Sequence, residues 1–275
     1  MFWLVSYPKS GNTWIRAILS SLFFSNNGVF DFKLLRKFTV FDQESKYQFI
    51  KNLNKNDFKK INQIKVISKY RIEAQNLAYV GGDFAFFKTH SSNISINDNF
   101  YTNEHCTRGL IYLIRDPRDV VVSYSKHLGI SIDETIKKIT NEKEINYYYS
   151  IPYLMSRWDL HHKSWLNLNV PKMIIRYEDI LEDTMKTIDL IINFFVNNYG
   201  FSFKNIDIVK KNILESTNIT ALQKLENIYG FEEATEHTNF FRKGKSNQWQ
   251  KILSVKQKNK IENEFNTVMK KFKYL

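Results

Sequence analysis

Near the start of the chain, a short polar loop separates two apolar runs of different character. Residues 2–7 (FWLVSY) are rich in aromatic and branched side chains, which is typical of a buried strand. Residues 15–24 (IRAILSSLFF) read as a mostly apolar helix. A loop at this junction meets the unpaired N–H groups and partial positive charge of a helix start. The sequence therefore predicts a phosphate-binding loop between a strand and a helix.

The position of the loop lysine separates this segment from the common nucleotide-triphosphate loop. That loop, G-x-x-x-x-G-K-[ST], has its lysine directly after the second glycine. Here Lys9 precedes the only glycine of the loop, Gly11, and no Gly-Lys pair follows. An ordinary triphosphate loop is therefore disfavoured. Taken alone, the segment leaves open an ordinary strand-to-helix turn with a solvated lysine.

A second strand-to-helix junction carries an arginine and a serine at a suitable spacing. Residues 109–114 (GLIYLI) predict a buried strand, and Asp116 followed by Pro117 predicts an N-cap and a first helical position. Arg115 then lies at the carboxyl end of the strand, and Ser123 lies two turns into the helix. In an open α/β sheet this is the usual ligand position. A surface ion pair of Arg115 with a neighbouring aspartate is the alternative.

Together the two junctions resemble the sulfotransferase family that uses 3'-phosphoadenosine 5'-phosphosulfate (PAPS). Residues 7–14 (YPKSGNTW) differ from the family's 5'-phosphosulfate loop, YPKSGTTW, at Asn12 alone, and residues 115–123 match its 3'-phosphate motif. The resemblance implies that the lysine contacts the bridging oxygen of the donor, that the next four residues hold the 5'-phosphate and that the tryptophan stacks on adenine. By this resemblance the donor-binding residues of the two junctions are Lys9, Ser10, Gly11, Asn12, Thr13, Trp14, Arg115 and Ser123.

A third strand-like run, residues 84–90, ends in Lys-Thr-His, which resembles the catalytic triplet of the same family. The resemblance implies that His90 is the general base for the acceptor hydroxyl and that Lys88, with Lys9, lies near the transferring sulfonate. Histidine suits this role because its usual pKa of about 6.5 lets it accept a proton near neutral pH. The alternative is a histidine with only a structural role.

Three later segments resemble the parts of the family that hold the nucleotide. Residues 176–180 (RYEDI) resemble a segment in which Tyr177 would contact adenine, and residues 216–226 place Thr217 and Ile219 at the nucleotide. Ile219 stands where relatives have an aromatic residue, so we expect a weaker clamp on the adenine. Arg242, Lys243 and Gly244 match the RKG of the loop that closes over the 3'-phosphate.

The closing loop departs from the family pattern at two positions. Asn247 and Gln248 stand where relatives usually have glycine and aspartate. Asparagine adopts a positive φ less freely than glycine, so the turn geometry is in question. A dimer contact of cytosolic relatives, K-x-x-x-T-V-x-x-x-E, also lacks its charges here because Gln250 and Asn259 occupy those positions. Oligomeric state is therefore left open.

Composition sets the broad class. The 275 residues carry a formal net charge of +12, which suits an anionic donor but also nucleic acid or an anionic membrane. No zinc-finger or RNP-type motif is apparent, so nucleic acid is not a predicted partner. The single cysteine, Cys106, fits a reducing compartment. With no convincing signal peptide and no apolar run of ~20 residues, the sequence predicts a cytoplasmic protein without an integral membrane segment.

The predicted fold is α/β: a P-loop-like three-layer sandwich with a central, mostly parallel sheet of about four to five strands flanked by helices. One sulfotransferase domain is expected over residues 1–275. The predicted function is in-line sulfuryl transfer from PAPS to a small-molecule, sugar or lipid hydroxyl, releasing PAP. No metal is assigned. The alternatives are a P-loop-type ATP-dependent kinase and a noncatalytic nucleotide- or polyanion-binding module.

Overall fold

A computed structural model describes residues 1–51, 53, 63–78, 84–147, 150–234, 239–242 and 244–275. Its main sheet has five strands in the order β2-β3-β1-β4-β7. The strands are β1 (Phe2–Ser6), β2 (Phe38–Val40), β3 (Phe86–Thr89), β4 (Gly109–Ile114) and β7 (Lys172–Arg176), and the antiparallel pair β5 (Ile145–Asn146) and β6 (Tyr153–Leu154) lies apart.

Helices follow most of the strands. They are α1 (Asn12–Phe24), α2 (Gln63–Ser68), α3 (Arg71–Ala78), α4 (Pro117–Leu128), α5 (Ile132–Thr140), α6 (Trp158–Leu166), α7 (Tyr177–Glu182), α8 (Thr184–Tyr199), α9 (Ile206–Thr217), α10 (Ile219–Tyr229) and α11 (Val255–Lys271). A parallel sheet flanked by helices confirms the predicted fold class. Within the described residues, every helix is too short or too polar to cross a lipid bilayer.

Local sequence explains the elements that lead into the predicted site. All five residues of β1 are buried, and β1 pairs in parallel with β3, with Val5 opposite Thr89. Helix α4 begins as its sequence predicts: the Asp116 carboxylate accepts a hydrogen bond from the N–H of Arg118, and Pro117 takes the first turn. Helix α1 begins at Asn12, three residues before its apolar pattern does.

The chain divides into two compact units, each built from several segments. The first comprises Met1–Tyr7, Thr39–Tyr112 and Lys137–Ile174. Its core holds an aromatic cluster in which the rings of Phe87, Tyr101 and Trp165 lie 5.2, 5.5 and 5.9 Å from that of Trp3. Contacts of this kind stabilise a core by about 0.5–1.5 kcal/mol each beyond the area that they bury.

The second unit comprises Pro8–Phe38, Leu113–Ile136 and Ile175–Leu275. Part of its core is a buried cluster that joins α1, the segment after α1, α10 and the stretch before Arg242. Its buried members are Ala17, Phe30, Leu35, Leu222 and Phe241. This cluster fixes the start of α1 against the chain that carries Arg242.

Candidate functional site

The loop between β1 and α1 bends through two residues with positive φ. Lys9 has φ 64° and Gly11 has φ 96°. A Cβ atom on Gly11 would lie 2.8 Å from Cδ2 of the Tyr177 ring, a distance so short that real Cβ atoms essentially never show it. The glycine is therefore required twice, by the backbone conformation and by the tyrosine that lies against it.

The loop presents polar groups at the first turn of α1. Ser10 is buried, and its Oγ has no hydrogen-bond partner within the described part of the chain. Asn12 and Thr13 are buried in the first turn, and the Thr13 hydroxyl donates a hydrogen bond to the Glu233 carboxylate at 3.1 Å. A buried hydroxyl without a partner costs stability unless something fills its place, so Ser10 fits a ligand-binding role.

Aromatic residues border the same loop. The Trp14 ring meets the Tyr177 ring edge to face, with centroids 6.1 Å apart. Both side chains were predicted to contact adenine. The structure brings these two residues together and places Gly11 against the same tyrosine.

Three cations of the second unit affect the charge of their neighbours, and together they form the cation cluster: Lys9, Arg115 and Arg242. Burial lowers the pKa of Lys9 to about 8; Glu233 opposes this shift, whereas Arg242 and Arg115 add to it. Burial and Arg115 also lower the pKa of Arg242. Positive charges that destabilise one another in this way are stabilised by a bound polyanion.

Arg115 is buried and held on several sides. Its Nη1 and Nη2 donate to the carbonyls of Lys9 and Lys245 at 3.0 and 3.1 Å, and its Cζ lies 4.1 Å from the centroid of the Tyr177 ring. Its Nη2 also lies 3.8 Å from Oδ2 of Asp119, so an ion pair with a neighbouring aspartate forms, but it is buried and not at the surface as the alternative supposed. The Nε of Arg115 nevertheless has no partner among the described residues. Ser123 lies within α4, as its spacing predicted, and is buried there.

The closing loop has the turn that its sequence put in question. Asn247 takes φ 59° without glycine, and its N–H donates to Asp119 at 2.7 Å. Gly244 has φ 54°, and a Cβ there would lie 2.8 Å from Cγ1 of Ile219. The carbonyl of Arg242 accepts a 2.5 Å hydrogen bond from the Gln223 amide. Lys243 lies outside the described residues.

The two residues predicted from α9 and α10 have different surroundings. Thr217 is fully buried, and its hydroxyl donates to the carbonyl of Ile213 within its own helix at 2.8 Å. Ile219 begins α10 and packs against Gly244 and the buried cluster of the second unit. The isoleucine thus supports the closing loop directly.

Lys88 and His90 belong to the first unit, at the carboxyl end of β3. Nδ1 of His90 lies 2.8 Å from the carbonyl oxygen of Ser6. The Ser6 hydroxyl lies 3.2 Å from the same nitrogen and can accept from it, whereas the nearer carbonyl only accepts. We therefore assign the proton of neutral His90 to Nδ1 and the lone pair to Nε2. This tautomer suits Nε2 for accepting a proton. Lys88 is buried at the end of the strand.

Two buried groups that the sequence reading missed support the triplet. His161 Nε2 donates to the carbonyl of His90 at 3.1 Å, its Nδ1 accepts from the Tyr112 hydroxyl, and burial lowers its pKa to about 3. Thr89 donates to the buried carboxylate of Asp42 at 2.9 Å. These contacts join residues distant in sequence, so no local pattern could have indicated them.

The described residues of the second unit therefore include positive charges and unpaired polar groups that suit an anionic ligand, and the first unit holds a histidine whose Nε2 can accept a proton. Among the described residues, no group of three or more His, Cys, Asp or Glu side chains could hold a metal ion.

Comparison with known proteins gives one family. The family model for the sulfotransferase domain matches residues 1–273. Sulfotransferase 2A2 of Rattus norvegicus is 27% identical over 173 residues, which are 59% of this chain and 57% of that protein. Amine sulfotransferase of Oryctolagus cuniculus is 23% identical over 276 residues, covering 98% of this chain and 80% of that protein.

The fold also matches solved structures. A crystal structure of retinol dehydratase in complex with androsterone and the inactive cofactor PAP superposes with a TM-score of 0.64 at 20% identity. The match covers 98% of this chain and 80% of that one. At this identity the likeness establishes a shared fold.

Proposed function

Because the chain belongs to the sulfotransferase domain family, we propose that it transfers a sulfuryl group from PAPS to a hydroxyl acceptor and releases PAP. The observation that carries this proposal is the cation cluster of Lys9, Arg115 and Arg242 beside the unpaired Ser10 hydroxyl. A nucleotide with phosphates at two positions supplies the anions that such a cluster needs.

The residues present fit PAPS well. Ser10, Gly11, Asn12 and Thr13 would hold the 5'-phosphate at the start of α1, where backbone N–H groups are available. Arg115, Ser123, Arg242, Lys243 and Gly244 would hold the 3'-phosphate, with arginine supplying a planar fork of donors. Trp14 and Tyr177 would border the adenine, and Thr217 and Ile219 would support that side.

PAPS, when bound, supplies the activated sulfonate. His90 takes the proton of the acceptor hydroxyl on Nε2, because the Ser6 carbonyl fixes its other nitrogen as a donor. Lys9 and Lys88 stabilise the negative charge that grows on oxygen atoms of the reacting group. Because these lysine charges can stabilise the reacting group in place of a metal ion, we expect turnover to continue in the presence of a chelator.

The acceptor is proposed more broadly. Relatives carry names such as flavonol 3-sulfotransferase, and solved relatives contain retinol or androsterone. We therefore propose a small-molecule hydroxyl acceptor, with sugars and lipids as further classes to be screened. A cytoplasmic location and a single domain over the chain are part of the same proposal.

The test is a screen of hydroxyl compounds with labelled PAPS, scored by mass for an added sulfonate. We expect product in a chelator, and none from Lys9→Ala or His90→Ala. The exposed histidine His105 offers a control variant, His105→Ala, which should retain activity. Activity that needs magnesium and ATP would favour the kinase alternative, and salt-sensitive binding without any turnover would favour a binding module.

A further inference from the structure

A carboxylate from a distant segment reaches the first turns of α1. Glu233 follows α10 by four residues, and one of its oxygens lies 2.5 Å from Nη2 of Arg16. The other oxygen accepts the hydrogen bond from the Thr13 hydroxyl at 3.1 Å. The Arg16 side chain is 3% exposed and the Glu233 side chain is 23% exposed. The arginine of this ion pair is therefore buried, whereas the carboxylate is partly exposed to solvent.

The partners of this carboxylate are ones that a phosphate also takes. A hydroxyl and a guanidinium at a helix start are typical donors to phosphate oxygens. The Thr13 hydroxyl has a single hydrogen, so it donates either to Glu233 or to another oxygen, but not to both. Thr13 is also one of the residues proposed to hold the 5'-phosphate. Glu233 and the donor thus share one hydrogen-bond donor.

The charge of Glu233 reaches the neighbouring loop as well. It favours the charged form of Lys9, opposing the burial that lowers the pKa of that lysine. The carboxylate thereby offsets part of the positive charge that would otherwise attract an anionic ligand. Competition for Thr13 and this loss of attraction act in the same direction, against donor binding.

We propose that Glu233 limits the affinity of the site for its donor, because its carboxylate occupies the Thr13 hydroxyl and a bound 5'-phosphate must displace it. Arg16 holds the carboxylate in that position. This inference rests on the proposed function, since it concerns the same donor site. It assigns to Glu233 a role that neither the loop motif nor the closing-loop motif contains.

A purely structural role gives a different expectation. Arg16 is buried, and an ion pair with Glu233 would by itself neutralise it. If that were the whole role, removing the negative charge would destabilise the start of α1 and leave donor affinity unchanged or weaker. The two readings therefore predict opposite directions for the affinity.

The experiment is calorimetric titration of PAP into the full chain and two variants. In Glu233→Gln we expect PAP to bind about fivefold more tightly, the scale of one hydrogen bond and a nearby charge. Glu232→Gln is the matched control: it removes the same charge from the preceding residue, whose exposed carboxylate pairs with Arg36. That variant should bind PAP as the wild type does. Unchanged or weaker binding in Glu233→Gln overturns the inference.

Two mononucleotides locate the competition. Because Glu233 contends with the 5'-phosphate, Glu233→Gln should tighten binding of 5'-AMP and leave 3'-AMP within about twofold. An equal gain for both would contradict competition at Thr13. If Glu233→Gln does not fold, Glu233→Asp retains the charge on a shorter side chain and should still gain at least about twofold for 5'-AMP; no gain overturns the inference. Wild-type protein that ignores PAP altogether would overturn the proposed function itself.

Discussion

The loop between β1 and α1 and the carboxyl end of β3 hold their polar groups in opposite ways. Around the loop, the Ser10 hydroxyl and the Nε of Arg115, which follows β4, are buried without partners in the described structure. Burial, together with neighbouring cations, lowers the pKa of Lys9 and of Arg242. At the end of β3, the Thr89 hydroxyl and the His90 ring are both hydrogen-bonded to protein. The difference favours ligand binding as the role proposed for the first region and the positioning of a reactive group as the role proposed for the second.

The largest effect should come from the catalytic side of this comparison. His90→Ala should lower kcat by about 10²- to 10⁴-fold, the usual contribution of a general base. PAP affinity should stay within about twofold, because His90 is proposed to contact the acceptor hydroxyl and is not among the residues proposed to hold the nucleotide. Turnover with an acceptor from the screen and calorimetry with PAP measure the two quantities. A large loss of PAP affinity would erase the division of roles.

On the binding side, Gly11→Ala should weaken PAP binding by about tenfold or more, because the added Cβ collides with Tyr177 and strains the loop. Gly200→Ala is the control. It has a similar backbone constraint, φ 69°, but nothing lies within 4 Å of the added atom. That variant should lose about 1 kcal/mol of stability and no PAP affinity. Equal behaviour of the two variants would contradict the loop assignment.

The pH dependence of binding gives a smaller effect with a defined sign. Lys9 has a pKa of about 8, so its charge is lost as the pH rises through that value. PAP affinity should fall by up to about tenfold between pH 7 and 9. Lys9→Arg keeps its charge throughout and should abolish the slope. A flat wild-type profile, or the same slope in the variant, would exclude Lys9 as the titrating group.

Folding stability should respond to Lys9 in the opposite direction. The pKa is about 8 in the folded chain and 10.5 ordinarily. Between these values the unfolded chain binds more protons, so the contribution of Lys9 to stability rises with pH. Urea unfolding at pH 8 and pH 10 measures this change: the stability of the wild-type chain relative to Lys9→Arg should be greater at pH 10 than at pH 8.

The smallest effect on activity should come from the bonds behind the triplet. Thr89→Val leaves the buried carboxylate of Asp42 with one donor fewer, which should cost about 1–3 kcal/mol of stability. Turnover should fall only severalfold, since the bond of His90 to Ser6 remains. Thr187→Val is the control, because that buried hydroxyl donates only to a carbonyl of its own helix start. A greater loss of stability in Thr187→Val than in Thr89→Val would contradict the stabilising role assigned to the bond between Thr89 and Asp42.

The fold and the family could be predicted from sequence because they depend on local patterns. The match over residues 1–273 confirms the family read from the motifs, and β4 and the start of α4 lie where their residues placed them. The apolar pattern predicts a start of α1 that is three residues too late, because Asn12 and Thr13 are polar and do not continue the apolar period. The roles of the site residues stay predictions, as do the single domain and the cytoplasmic location.

Contacts between distant segments could not be predicted in this way. Nothing near His90 in the sequence indicates that Ser6 would fix its tautomer or that His161 would bond its carbonyl. Glu233 likewise lies far from Thr13 along the chain. Asn247 has a positive φ although glycine adopts such a φ more freely, and its N–H hydrogen bond to Asp119 stabilises this conformation. A preference for glycine at this position therefore does not predict the turn.

The central claim is that the cation cluster binds an adenine nucleotide with a phosphate on its ribose. The direct test is calorimetry with PAP, 5'-AMP and ATP on the wild-type chain in a chelator, and again with magnesium. PAP should bind in the chelator at least about tenfold more tightly than 5'-AMP, because the second phosphate meets the arginines. Tight binding of ATP with magnesium and no binding of PAP would contradict the claim.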